Sequence, residues 1–368
     1  MKGLAITNRG IEAIASLEIS KLIKSKSKIE ETVCIFNIKK IEDLALLCYK
    51  GQSFTKVIYL MDNFKFKNLN EIGKKLIKIN ELNRFIKKNK KFKVNCKRVG
   101  EHDFNSVDVE KLVTKNILKD SKLKVDFDGP DLIIYAYINE NNFYLGMDFS
   151  GFDLSKRDYR IFLHPAALKA TLAYALLRVG DYNKSEVLLD PFCGSGTICI
   201  EAALFASDFP VNYHRKNEFA FQKFLKFNFK RIDEKFSEDK LRIYGYDHLL
   251  RNIKASQKNA KIAGIFKKIK FSKISVDWLD IKFEENSIDR IITHPPAISK
   301  NNEKAMEQLY KEFFHQAGYI LKKDGLIVII AKEADLIKKI AEENKFRLKK
   351  EKEVWQGQQC LKVLVLSE

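Results

Sequence analysis

The stretch "VLLDPFCGSGTICIEAA", Val187–Ala203, decides the fold. An apolar run ends at Asp190, a loop containing Gly194 and Gly196 follows, and from Thr197 the chain reads as an apolar helix. A strand that stops at a carboxylate and turns through glycines into a helix is the first unit of an open α/β sheet. Such sheets bind ligands at the carboxyl ends of their strands, where glycine lets backbone come close. The spacing is not the G-x-G-x-x-G of dinucleotide-binding proteins, and no Gly-Lys-Ser/Thr follows to make a P-loop.

Outward from this loop the same grammar repeats. "KLRIYGYD", "IKFSKISVDW", "DRIITHPP", "GLIVIIAK" and "CLKVLVLS" read as strands, and "LLRNIKASQKNAKIAG", "EQLYKEFFHQAGYILKKD" and "ADLIKKIAEENK" as the helices between them. Strands alternating with crossover-length helices predict a parallel, doubly wound sheet over residues 181–368. Two further strands end in acid. Asp247, followed by His248, can accept from the hydroxyls of a ribose, and Asp277, followed by Trp278, from an adenine amino group. A single carboxylate at a strand end is commonly a helix cap; three at successive strand ends point to one ligand.

Towards the amino terminus the pattern differs. Residues 1–65 alternate helical segments ("GIEAIASLEISKLIKS", "KIEDLALLCYKG") with short apolar runs ("TVCIFNI", "KVIYLMD"), an α+β layer. In residues 66–150 a lysine-rich helical stretch gives way to "FKVNCKRV", where Phe92, Val94 and Cys96 alternate with polar residues. Asn105 or Ser106 then caps a helix, and "DLIIYAYINENNFYLGMDF" predicts a hairpin. Residues 151–180 read as a linker and a leading helix, with Pro165 in its first turn. No repeat of 20 to 50 residues is present.

The chain of 368 residues has 45% hydrophobic residues and a formal net charge of +19, with a sequence pI near 9.4. That is enough apolar content for buried cores and enough cation to attract a polyanion. No segment approaches the roughly 18 uninterrupted apolar residues of a membrane span, and the start lacks the apolar core of a signal peptide. A cytoplasmic protein is expected, without membrane association. The six cysteines are scattered, without the short paired spacings of a zinc site, so no metal is expected and the thiols read as reduced. His102 and His164 read as local structure.

"DPFCGSGT", the strand-terminal Asp247 and Asp277, and the Pro-Pro loop of "THPPAIS" resemble the class I S-adenosylmethionine-dependent methyltransferases. "FKVNCKRVGEHDFNSVDVEK", "GPDLIIYAYINENNFYLGMDFSG" and "SKRDYRIFLHPAALKATLAYALL" resemble the THUMP domain and linker of RNA methyltransferases. Within them the chain is most similar to the archaeal and bacterial tRNA guanine-N2 methyltransferases acting at position 6, in the acceptor stem. The resemblance implies a Rossmann-like catalytic domain (181–368) preceded by an α+β ferredoxin-like domain (1–65) and a THUMP domain (66–150). It implies S-adenosylmethionine at Asp190, Pro191, Cys193, Gly194, Gly196, Thr197, Asp247, His248, Asp277 and Trp278. It also implies tRNA held by the amino-terminal half of a monomer, with Lys88, Lys90, Lys91, Lys93, Lys97 and Arg98 as the candidates.

The catalytic expectation rests on His294, Pro295 and Pro296. The family has Asn or Asp before the two prolines, and that side chain with the following carbonyls accepts from the amine of a flipped base. Here His294 stands in that place, and Ala297 where an aromatic residue usually stacks on the base. A neutral imidazole nitrogen can accept one hydrogen bond, and Ile298 is expected to supply part of the missing wall. Two other functions share this scaffold: an RNA-binding protein that has lost catalysis, and a methyltransferase of ribosomal RNA or of adenine.

Overall fold

The computed structural model describes residues 1–76, 90–163, 167–237, 239–299 and 301–368. Two sheets organise them. The first is built from β1 (Lys2–Thr7), β2 (Ser27–Glu30), β3 (Val33–Asn37), β4 (Phe54–Lys65), β5 (Lys91–Val99), β6 (Lys124–Val125), β7 (Leu132–Asn139) and β8 (Asn142–Asp148). Its strand order is β2-β3-β1-β4-β8-β7-β5-β6. The helices α1 (Glu12–Ile23), α2 (Glu42–Lys50), α3 (Leu69–Lys75) and α4 (Ser106–Asp120) alternate with its strands along the chain. Asn105 caps α4 in a full capping box with Asp108, each side chain accepting from the other's backbone N–H.

Pairing of β4 with β8 makes this sheet continuous across residue 65, where a domain boundary was expected. The chain divides into two compact units that cut it differently from the expected boundaries. One holds 1–7, 15–154 and 215–229, the other 8–14, 155–214 and 230–368. The excursion at 215–229 follows from its aromatic residues: Phe219 and Phe229 pack edge-on against Tyr49 within the first unit.

The second unit contains α5 (Ala170–Val179), β9 (Val187–Asp190), α6 (Thr197–Ala206), α7 (Lys230–Asp233), β10 (Arg242–Asp247), α8 (Leu250–Ile262), β11 (Ile269–Lys273) and α9 (Leu279–Lys282). It continues with β12 (Ile288–Thr293), α10 (Glu303–Ile320), β13 (Leu321–Ala331), α11 (Ala334–Glu343), β14 (Arg347–Gln356) and β15 (Gln359–Ser367). The sheet order is β11-β10-β9-β12-β13-β15-β14. Strands β9 to β13 are parallel, as the alternating pattern requires. The β14–β15 hairpin adds an antiparallel edge to the expected parallel sheet: β15 runs antiparallel to β13. Gly357, at φ +69°, turns the chain in too few residues for a crossover, so only antiparallel pairing is open to it. The sequence hides β14 because "RLKKEKEVWQ" is the charged, exposed edge that such sheets use against further pairing.

The leading helix α5 starts at Ala170, after the expected first turn; His164 and Pro165 lie outside the described residues. The segment before it is held by a buried bidentate pair. Arg157 donates to Glu201 on α6 through Nε (3.0 Å) and Nη2 (3.3 Å), and the Tyr159 hydroxyl donates to the same carboxylate at 2.8 Å. Both charged side chains are fully buried, so removing either partner would strand a charge, at roughly 3–5 kcal/mol.

Candidate active site

Strand order reverses between β9 and β12: the chain runs outward through β10 and β11, then returns to β12 and β13 on the other side. Open α/β sheets bind ligands at such a switch point. A cavity of about 240 Å3 opens there, lined by Asp190, Asp247 and His294 from or just beyond the ends of β9, β10 and β12. Cys193, Gly194, Thr197, His248 and both prolines of the loop also line it. Pro191 and Gly196 belong to the same loop but not to the lining.

Asp190 is 1% exposed. Its Oδ1 accepts from the Thr293 hydroxyl at 2.6 Å and the Phe192 N–H at 3.2 Å, whereas no donor among the described residues meets Oδ2. Burial pushes its pKa up to about 7, with the Asp247 charge adding to the rise and the two hydrogen bonds opposing it. A carboxylate so placed favours a cation beside it. Asp247 is better satisfied: Leu249 N–H donates to Oδ1 at 2.8 Å, and Gly194 N–H (3.1 Å) and Asn252 Nδ2 (3.0 Å) donate to Oδ2. A carboxylate has about four acceptor positions, so about one remains for a ligand hydroxyl.

The two loop glycines both have positive φ, Gly194 at +52° and Gly196 at +82°. Gly196 is needed for packing as well as conformation: a Cβ there would sit 2.7 Å from the Ser256 side chain and 3.2 Å from the Phe271 ring. Asn259 fixes the same loop by donating to Ser195 O at 3.0 Å. Cys193 and Cys199 are buried thiols pushed well above their usual pKa by desolvation, so they pack and do not serve as thiolates.

Asp277 and Trp278 stand apart. The strand expected to end at Asp277 ends at Lys273, and both residues lie in an exposed helical turn beyond it, outside the cavity lining. Ser275 Oγ lies 3.2 Å from the Asp277 carboxylate.

His294 is half-buried directly after β12, and Pro295 behind it is buried. Side chains further along the chain hold the loop. The Tyr310 hydroxyl of α10 donates to Pro296 O at 2.6 Å, and Asn302 Nδ2 to Ala297 O at 3.1 Å. Burial raises the Tyr310 pKa, which keeps the phenol a donor. On the other side of this loop lies a second cavity of about 270 Å3, also lined by His294, Pro295, Ala297 and Ile298. Thr293, Asn252 and Tyr310 were not singled out from sequence. Thr293 precedes the singled-out His294, but nothing local signals its bond to Asp190.

In the other unit, Lys91, Lys93 and Lys97 share one face of β5, while Arg98 points to the face of Phe92 and Val94, as strand alternation requires. Lys91 pairs with Asp126 at 2.7 Å, and Arg98 donates to His102 Nδ1 at 2.7 Å, which leaves the His102 Nε2 proton for Glu140 O at 2.9 Å. Lys90 is half-buried and Lys88 lies outside the described residues. A groove of about 540 Å3 that sequence reasoning missed runs beside α4, with Lys111, Lys115 and Lys119 on its lining and Phe127 72% exposed.

Residues 157–362 match the family described as "RMKL-like, methyltransferase domain", and residues 66–148 match the THUMP domain. The chain belongs to the RMKL-like methyltransferases. This methyltransferase is 30% identical over 374 residues to the "tRNA (guanine(6)-N2)-methyltransferase" of Methanocaldococcus jannaschii, covering 97% of each chain. It is 31% identical over 317 residues to the "Ribosomal RNA large subunit methyltransferase K/L" of Buchnera aphidicola, covering 79% of this chain and 44% of that protein. Among solved structures, TrmN from Thermus thermophilus superposes with a TM-score of 0.74 over 100% of this chain and 99% of its own, at 21% identity. A solved chain complexed with SAH superposes with a TM-score of 0.83, at 21% identity, over 100% and 97%. These likenesses show a class I methyltransferase fold with an RNA-binding THUMP domain, and the methyl donor is S-adenosylmethionine. No helix of the described residues is long and apolar enough to cross a membrane.

The residues present fit that donor. Asp190, buried with one oxygen unmatched, suits its cationic amino-acid end, and the remaining acceptor position of Asp247 suits a sugar hydroxyl.

Proposed function

We propose that this methyltransferase methylates the N2 amine of a guanine in tRNA, at position 6 of the acceptor stem, acting as a cytoplasmic monomer. What supports the reading is the near full-length relative named for that reaction, together with His294, which lines both the donor cavity and its neighbour. When bound, S-adenosylmethionine supplies a sulfonium methyl. Asp190 and the loop from Pro191 to Thr197 would hold its amino-acid end, Asp247 and His248 its ribose, and Asp277 and Trp278 its adenine.

His294, through a neutral ring nitrogen, accepts one hydrogen from the amine and so aims the nitrogen lone pair at the donor cavity. Pro295 and Pro296 present no N–H, so only carbonyls face the amine. The Pro296 carbonyl already takes the Tyr310 hydroxyl but has a second lone pair to offer. Ile298 closes the side where Ala297 is too small to stack. The guanine must leave its helix to reach this point. Lys90, Lys91, Lys93, Lys97 and Arg98 would engage the tRNA backbone together with Lys88. The groove beside α4, with lysines and the exposed Phe127, suits an unpaired nucleotide.

The test is transfer of labelled methyl to unmodified tRNA transcripts, followed by nucleoside analysis and mapping. N2-methylguanosine at one position is the expected product. Binding of tRNA without transfer to any base would mean that His294 and Ala297 have left an RNA-binding protein. Methyl on ribosomal RNA alone, or on adenine, would refute the substrate. His294→Asn should keep or raise turnover, and a clear loss would show that the amide cannot replace the imidazole.

A further inference from the structure

The second cavity shares His294, Pro295 and Ala297 with the first, and the rest of its lining is its own. Glu333 and Lys332 lie just past the end of β13, the strand next to β12, on the ligand side of the sheet. Gln356 and Gln359 come from the β14–β15 hairpin. Glu333 is the N-cap residue of α11 and makes no side-chain cap bond, so its carboxylate is not tied to the helix's first N–H groups. Its side chain is 39% exposed and lies 3.3 Å from Lys332 Nζ. Gln356 Oε1 already accepts from Lys169 N–H at 2.7 Å, which leaves its amide donors. The cavity therefore offers an acceptor-only carboxylate beside donors, over an apolar floor that includes Leu361.

That pattern separates the purines. Guanine presents an acceptor, O6, followed by two donors, the N1 proton and the N2 amine; adenine presents a donor followed by the N1 lone pair. With the reacting amine placed at His294, a carboxylate beside it meets the N1 proton of guanine but the N1 lone pair of adenine, so the order amine, carboxylate, donor complements the first base and repels the second. Resting on the methyl-transfer reading above, we propose that this cavity receives the flipped base and that Glu333 reads it as guanine by accepting its N1 proton, leaving the N2 amine at His294. Lys332 or a glutamine amide donates to O6. At about 270 Å3 the space lies near the lower end of small-ligand pockets, ~300 Å3, as a single base requires.

The experiment uses the full chain, wild type and Glu333→Gln, on tRNA transcripts carrying guanine or 2-aminopurine at the nucleotide the wild type methylates. The analogue keeps the C2 amine but has a lone pair at N1 and no O6. The wild type should prefer guanine by roughly 10–100-fold in kcat/KM, the range of one good base contact. Glu333→Gln, whose amide can turn its oxygen to the N1 proton of guanine or its N–H to the lone pair of the analogue, should cut that preference to a few-fold, chiefly by raising kcat/KM on the analogue, with tRNA affinity by filter binding unchanged. The wild-type ratio persisting in Glu333→Gln would overturn the role of Glu333 while leaving guanine methylation standing. No methyl on any guanine with the wild type would overturn both.

Discussion

The two cavities on either side of His294 are made differently. The donor cavity takes most of its groups from two short stretches, Asp190–Thr197 and Asp247–Asn252, and its carboxylates are buried and locked by backbone N–H groups. The neighbouring cavity is gathered from Ile298, Tyr310, Glu333, Gln356 and Leu361, with its charged groups half-exposed or exposed. On the proposed reading the first takes a molecule shared by a whole class of enzymes, and its geometry depends on backbone conformation that few sequences can adopt. On the same reading the second faces a substrate that varies, and side chains on otherwise stable elements can change there without disturbing the sheet.

The largest effect should come from breaking the backbone side. Gly196→Ala forces a Cβ into the left-handed region and against Ser256, combining about 1–2 kcal/mol of backbone strain with about 1–3 kcal/mol of overpacking. Chemical denaturation should show a stability loss within the sum of those ranges, and calorimetry a loss of S-adenosylmethionine binding; near-normal binding would mean the loop tolerates a shift.

Asp190 sharpens the comparison through pH. Its folded pKa, about 7, lies above the usual carboxylate value, so the ligand-free protein holds this proton better than the unfolded chain does. The contribution to stability is therefore fully present below the ordinary pKa and is lost as pH rises through about 7. Binding of a cationic donor needs the ionised form, so affinity should rise with pH, by at most about tenfold per unit below 7, and level off above it. Asp190→Asn should bind S-adenosylmethionine more weakly, with that slope gone. An unchanged slope would assign the titration to another group.

On the substrate side the smallest effect is expected from Tyr310→Phe, which removes one hydrogen bond to Pro296 O, about 1 kcal/mol. Turnover should fall by about fivefold to tenfold with donor affinity unchanged. If donor affinity fell equally, the two cavities would not be separable in the way their construction suggests.

The sequence by itself determined the alternation that makes the second sheet, the loop that ends β9, a helix cap at Asn105 or Ser106, and the β7–β8 hairpin. Each is encoded within a few residues, by apolar period, glycine, or a side chain that reaches its own backbone. It also exposed the strand end at His294, because two prolines cannot continue a ladder. Only the tertiary structure decided that Thr293 supports Asp190, that Tyr310 ties down the Pro-Pro loop, and that Glu333 lines one cavity with His294. It likewise put Asp277 beyond the cavity and joined the two amino-terminal segments through β4 and β8. Those relations depend on the order in which strands pair, and a hydrogen bond across more than a hundred residues, such as Thr293 to Asp190, leaves no spacing in the chain for a reader to detect.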